Sequence, residues 1–173
     1  MGQKMPPCNL DAEESVLSAC ILDPETVETA VRELDYRDFF RPQHQLVFRA
    51  ISCLARRGRP VDFITVAELL EKEGVLEDAG GKIALLNLCD NTFSLMNAPC
   101  HIGIVKRTAA QRRLVRAAQE IEIMASEPQD DFSEVRRRAL DLINAAVSES
   151  GPERARSQDR ARDGKREAAA TRP

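Results

Sequence analysis

Tryptophan is absent from these 173 residues, tyrosine occurs once, and aromatic residues make up only 4% of the chain. No run of eighteen apolar residues exists, so nothing in the sequence reads as a membrane-spanning helix. The first residues, MGQKMPPCNL, contain no apolar core region, so no secretory signal is read there. Five cysteines, at positions 8, 20, 53, 89 and 100, are an odd number without a CxxC pair. That excludes a disulfide scaffold and points to reduced thiols in the cytoplasm. With 43% hydrophobic and 31% charged residues, the chain is neither collagen-like nor mucin-like, and it is too apolar to be disordered throughout.

Catalytic and cofactor patterns are also missing. A phosphate-binding loop needs G-x-x-x-x-G-K-[ST], because backbone N–H groups must cradle the phosphate while Lys reaches it. Gly81-Lys82 runs into Ile83 and Gly164-Lys165 into Arg166, with no Gly at the required distance upstream. GxSxG, HExxH and GxGxxG do not occur. The two histidines do not suggest a metal, since Cys100-His101 are adjacent and fit no structural zinc spacing. Cys20, Cys53 and Cys89 sit in apolar stretches as small core residues. His44, in the first turn of a helix, reads as holding a local hydrogen bond. The many Asp and Glu residues fall on polar helix faces and read as solvated charge. No catalytic constellation emerges, and no cofactor is expected in this chain.

The sequence does carry helical patterning and an uneven distribution of charge. The net charge of −3 conceals three zones. Residues 10–97 hold nine basic against sixteen acidic residues, residues 98–149 hold eight of each, and residues 151–173 hold seven basic against four acidic. The last stretch has no Leu, Ile, Val, Phe or Met and cannot bury enough apolar surface to offset an ordering cost of roughly 1–2 kcal/mol per residue. It reads as a disordered, basic tail.

The remainder reads as all-α. Asp11 with Glu14 forms a capping box ahead of a helix over about 12–22. Asp23 caps a second helix that has Pro24 in its first turn. A third begins near Pro42, with Leu46, Val47, Ala50, Ile51 and Leu54 at 3–4 spacing, and Gly58 ends it. Thr65 with Glu68 forms another box before a short helix closed by Gly74. VDFITV, the only candidate strand, is short. From Asn97 to Glu127 stretches about 28 residues of helix, roughly 42 Å long, with Leu114, Ala118, Ile121 and Ala125 on one face. After Pro128, a last helix carries two seams. One is Phe132, Val135, Ala139, Leu142 and Ala146, and beside it run Leu140, Ile143 and Val147. The architecture expected is a flexible start (1–9), a multi-helix head (10–97), an antiparallel helical hairpin (98–149) and a disordered tail (150–173). One seam packs within the hairpin. The other either docks on the head or forms a self-association surface.

The order of particular residues adds to this. Glu14 precedes Val16-Leu17. Next come Leu22-Asp23-Pro24, Asp38-Phe39 with His44 five residues after Phe39, then Phe48 and Leu54. Gly58, Pro60, Asp62, Thr65-Val66, Leu69, Gly74, Leu76 and Gly80-Gly81 follow, and Asn97, Ile104-Val105, Arg112-Arg113-Leu114 and Ile121 continue into the hairpin. This series, over residues 6–148, resembles the N-terminal domain of bacterial replicative DNA helicases of the DnaB type. The resemblance implies a helical head plus hairpin whose hairpins pair between subunits, as dimers and as a trimer of dimers. It implies a collar on a helicase ring that receives the C-terminal helical domain of primase and meets DNA only indirectly, through the ring. By resemblance, Val115 and Ile121 fall where the family presents apolar contacts to primase, the alternative being that they only pack the hairpin. Ala84 lies near the equivalent contact on the head, and Leu140, Ile143 and Val147 fit the self-association seam. The family's motor, with its ATP and Mg, lies in a C-terminal domain that has no counterpart in this sequence, so unwinding is not expected of this chain alone. Arg112 and Arg113 either contact DNA or pair with an acidic neighbour.

Overall fold

The structure, a computed structural model, describes residues 5–90, 97–127 and 132–148. The tail expected to be disordered, 150–173, lies outside the described residues. Seven α-helices occur among the described residues, and no strand. They are α1 (Leu10–Leu22), α2 (Pro24–Glu33), α3 (Pro42–Arg56), α4 (Phe63–Lys72), α5 (Gly81–Asp90), α6 (Ala98–Ser126) and α7 (Phe132–Ser148), with a short 3-10 turn at Tyr36–Asp38.

Helix α1 is buried on nearly every side from Ala12 to Ile21, because from Ser15 onward its residues are small or apolar all round. It packs against α2, α3, α5 and the first half of α6, and so forms the axis of the head. Phe39 and Phe48, both fully buried, stack at a ring separation of 4.7 Å beside Leu17, Ile51 and Leu54. Truncating either ring would cost about 3–5 kcal/mol.

The caps differ from the sequence reading at two of three starts. Asp23 does cap α2, accepting from the N–H groups of Glu25 and Thr26. Helix α1, however, begins two residues earlier than the Asp11–Glu14 box implies. Its cap is Asn9, whose extended backbone (φ −142°) lets the side chain accept from Ala12 N–H at 2.9 Å. Helix α4 is started by Asp62, not by Thr65. Asp62 Oδ1 accepts from Thr65 N–H at 2.8 Å, while Thr65 Oγ1 accepts from Asp62 N–H at 3.0 Å. VDFITV is therefore a cap and a first helical turn, not a strand. Gly58 and Gly74, both at positive φ, terminate α3 and α4 as read.

Helix α7 packs chiefly on α6, which makes the two an antiparallel hairpin. The face of α6 turned inward there differs from the expected one. Ala117 is buried and Ala110, Ile121 and Met124 are half-buried, whereas Leu114, Ala118 and Ala125 are exposed. Only Ile121 belongs to both sets, and the stripe is rotated by roughly 70° at 3.6 residues per turn. The cause lies upstream. Ile102, Val105, Ala109 and Arg112 commit one side of the helix to the head and so set its rotation along its whole length.

Candidate interaction surface and the joint beneath it

The outer side of α7 carries the surface. Phe132, Leu140, Ile143 and Val147 fall within one 80° sector of the helix by roughly 100° per residue, and they are 72%, 56%, 43% and 63% exposed. The neighbouring seam is the one turned to α6, with Val135 and Ala146 buried and Ala139 and Leu142 half-buried; Phe132, expected in this seam, is instead exposed and lies with the outer one. The head does not cover the outer seam, so of the two expectations for Leu140, Ile143 and Val147 docking on the head is excluded. The apolar stripe is interrupted by Arg136, exposed in the same sector. Arg137, one residue on, is held by Glu134 at 2.5 Å and Asp141 at 3.0 Å on its own helix.

The residues marked as contact positions do not form one face. Val115 is 45% exposed on the outer side of α6, while Ile121, six residues on, is half-buried toward α7. Ala84 lies on α5 in the head, half-buried. Its Cβ closes against Gly80 (φ +96°), where an added Cβ would come within 2.7 Å of it. Beside it Ile83 and Leu86 are exposed on the same helix.

Arg112 and Arg113 turn into the protein. Arg112 is buried where α6 leaves the head; its Nη1 donates to the Pro7 carbonyl at 2.8 Å, its Nη2 to the Asp38 carbonyl, and its guanidinium lies 5.7 Å from the Phe40 ring. Burial pulls its pKa down, and Glu13 and Asp38 oppose the shift. Arg113 Nη1 donates to Asp38 Oδ1 at 2.8 Å. Asp38 also accepts from Asp35 N–H at 2.8 Å, which caps the 3-10 turn. Burial pushes its carboxyl above the ordinary range in spite of these donors. Of the two readings, pairing with an acidic neighbour holds for Arg113, whereas Arg112 turns inward to backbone carbonyls.

Sequence reasoning missed Glu13. Its side chain is fully buried, and its carboxylate accepts from Phe40 N–H at 2.7 Å, from Arg41 N–H at 3.4 Å and from His44 Nδ1 at 2.8 Å. It thus binds α1 to the start of α3. The available signal was position: Glu13 stands three, four and seven residues before Val16, Leu17 and Cys20, on a buried face where a charged residue needs partners. His44 does hold a hydrogen bond, not a local one but to a residue 31 positions away. No group of three or more His, Cys, Asp or Glu among the described residues is placed to hold a metal ion. No helix among them is long and apolar enough to cross a membrane.

An all-helical head with a projecting hairpin, apolar along its outer edge, defines a class of helical assembly module. The family model of the DnaB-like helicase N terminal domain matches residues 5–107, and the chain belongs to that family. The replicative DNA helicase DnaC of Bacillus subtilis (strain 168) is 32% identical over 149 residues, covering 80% of this chain and 33% of that protein. The chain spans about a third of the length of such curated relatives. The crystal structure of the N-terminal domain of DnaB helicase from Mycobacterium tuberculosis superposes with a TM-score of 0.75 at 35% identity, over 81% of this chain and 99% of that one. A structure described as that of a DnaB-like replicative helicase and its interactions with primase has the same fold, with a TM-score of 0.69 at 22% identity, over 83% of this chain and 32% of that one.

Proposed function

We propose that this chain acts in DNA replication as the collar and primase-docking module of a replicative helicase, in the cytoplasm, and not as a motor. The observation that carries the reading is the uncovered seam of Phe132, Leu140, Ile143 and Val147 on α7. A second copy laid along it forms the paired hairpins from which a dimer, and then a trimer of dimers, is built. Val115, at the outer side of α6, and Ala84, beside exposed Ile83 and Leu86, are left for the C-terminal helical domain of primase. Ile121 serves mainly to pack the hairpin, since it is half-buried against α7. DNA is met only through the ring. Nucleotide and Mg chemistry belongs to a motor outside these residues, because the sequence has no loop to cradle phosphate.

Calorimetric titration with the C-terminal domain of the cognate primase tests the docking. Val115→Asp is expected to weaken it by about 1–3 kcal/mol, with a smaller effect from a polar replacement of Ala84. Absence of heat at several hundred micromolar, with both proteins folded, refutes the docking role and leaves the self-association reading to stand or fall separately.

A further inference from the structure

The hairpin meets the head chiefly through α6, and the last point on that helix bonded to the head among the described residues is Arg112-Arg113. Beyond it, the only buried side chain on α6 is Ala117. At this exit point the link is polar. Two consecutive guanidiniums reach Pro7, Asp38 and the Phe40 ring, which belong to the two stretches of the head that lie outside its long helices. The link is also incomplete. Arg113 Nε is buried with no hydrogen-bond partner, and Arg113 bonds the Asp38 carboxylate while Arg112 bonds the backbone carbonyls of Pro7 and Asp38. A permanent joint of this size is more stable when built from apolar packing or from a fully satisfied network. An under-satisfied buried cluster loses less on opening, because each exposed guanidinium regains water.

We propose that Arg112, Arg113 and Asp38 form a latch that fixes the direction in which the hairpin leaves the head, and that α6 and α7 pivot together when it opens. The pivot is the buried first half of α6, where Ile102, Val105 and Ala109 sit in or against the head core. Lys106 of that half pairs with Glu33 of α2 at 3.5 Å. The charges facing the latch are Glu13 on α1, Asp35 in the 3-10 turn, Arg116 one turn further along α6, and the Cys8 thiol. With Glu13 and Asp38 ionised, the two guanidiniums are balanced. Removing one negative charge leaves an excess of positive charge in a buried site, which favours the open state. The latch is a property of the folded chain and does not depend on the primase reading.

Distance measurement by electron spin resonance tests it. Spin-labelled unnatural residues are placed at the exposed positions Glu68, on α4, and Gln119, on the outer half of α6, and the labelled chain is diluted into excess unlabelled chain. The unsubstituted protein is expected to give one narrow distance distribution. Asp38→Asn and Arg113→Gln are expected to broaden or displace it by several ångströms, while amide exchange stays slow in α1 and α3 and rises at least tenfold over residues 5–9, 36–41 and 110–116. Arg113→Lys, which keeps the cation, should restore most of the narrow distribution. An unchanged distribution in both variants overturns the proposal. So does loss of protection throughout the head, or failure of both variants to fold, since the cluster would then be an ordinary part of the core.

Discussion

Replacing Ile143 by glutamate should abolish self-association and leave the monomer intact. Fully burying a Leu, Ile or Val side chain is worth about 1.5–3 kcal/mol. Leu140, Ile143 and Val147 are already out of water by roughly half, so covering them adds about 1 kcal/mol each. Phe132, the most exposed of the four, adds about 2 kcal/mol. A two-fold interface counts each residue twice, which gives about 10 kcal/mol before the association cost of at least 4 kcal/mol. The surplus of about 5–6 kcal/mol corresponds to a dissociation constant of order 100 µM. The seam therefore supports a weak dimer in this chain, with Arg136 in the stripe working against anything tighter. Ile143→Glu removes two apolar contacts and brings two carboxylates into the centre of the interface, a loss of at least about 3 kcal/mol and more than a hundredfold in affinity. Sedimentation equilibrium from 10 µM to 1 mM reads both constants, and urea denaturation of the variant should move by no more than about 0.5 kcal/mol, as for an exposed site. A wild-type chain that stays monomeric at 1 mM refutes the argument, as does a variant that associates as well as the wild type.

Glu13→Ala should destabilise the head by about 3–5 kcal/mol, because it strands His44 and two backbone N–H groups in a buried site; urea unfolding followed by circular dichroism measures it, and a loss below 1 kcal/mol contradicts the assignment. Gly58→Ala, with open space around it, should cost about 1 kcal/mol for the left-handed backbone alone, and Gly80→Ala about 2–4 kcal/mol, since its Cβ also meets Ala84; equal losses in the same urea assay would deny the close contact. Two carboxyls should respond to pH with opposite sign. Asp23 is held below its ordinary value, chiefly by the Thr26 hydroxyl, so its contribution is full above the ordinary carboxylate pKa and is lost as pH falls through the depressed folded value. Burial raises Asp38, so the folded state takes up that proton first and the cost of its buried charge disappears as pH falls through the raised folded value. Urea midpoints compared between wild type and Asp23→Asn should converge on acidification, and wild type should gain stability relative to Asp38→Asn over the same direction of change; parallel curves refute either sign. The Cys20 thiol, pushed up to about 12 by burial, should resist alkylation at pH 8 until the protein unfolds, while exposed Cys100 reacts at once, as mass spectrometry of the labelled peptides will show.

What could be read from the chain depended on how local the determining contacts were. Asp23-Pro24, Gly58 and Gly74 are complete signals within a few residues, and the helix boundaries they set appear where expected. The two seams of α7 were legible except at Phe132, because they run side by side at 3–4 spacing, and Phe132 at the start of the helix borders both. At α1 and α4 several candidate caps lay within three residues of one another, and backbone geometry chose Asn9 and Asp62. The rotation of α6 was not legible, since it follows from core contacts 5–15 residues upstream of the surface it governs. Glu13 and the Arg112 cluster were hidden most deeply, their partners lying 27 to 105 positions away, and a lone charge in a helix carries the same letter whether it is solvated or buried.

The interior of the hairpin bears on why its outer seam should matter. Between α6 and α7 the inward side chains are mostly small, with Ala110, Ala117, Ala139 and Ala146 joined by Val135, Leu142, Ile121 and Met124, of which only Ala117, Val135 and Ala146 are buried. Small residues let the helices approach closely but remove little apolar area from water. At about 25 cal/mol per Å² the gain is modest against roughly 1–2 kcal/mol of backbone entropy for each residue of α7. The head cannot supply the difference, because α7 leans chiefly on α6. A second hairpin laid on Phe132, Leu140, Ile143 and Val147 would supply it, so that association and the ordering of α7 become one event. Amide exchange in α7 should then slow as protein concentration rises, while exchange in α1 stays constant. A concentration-independent rate in α7 would show that the hairpin is stable alone and that its outer seam is not needed to complete it.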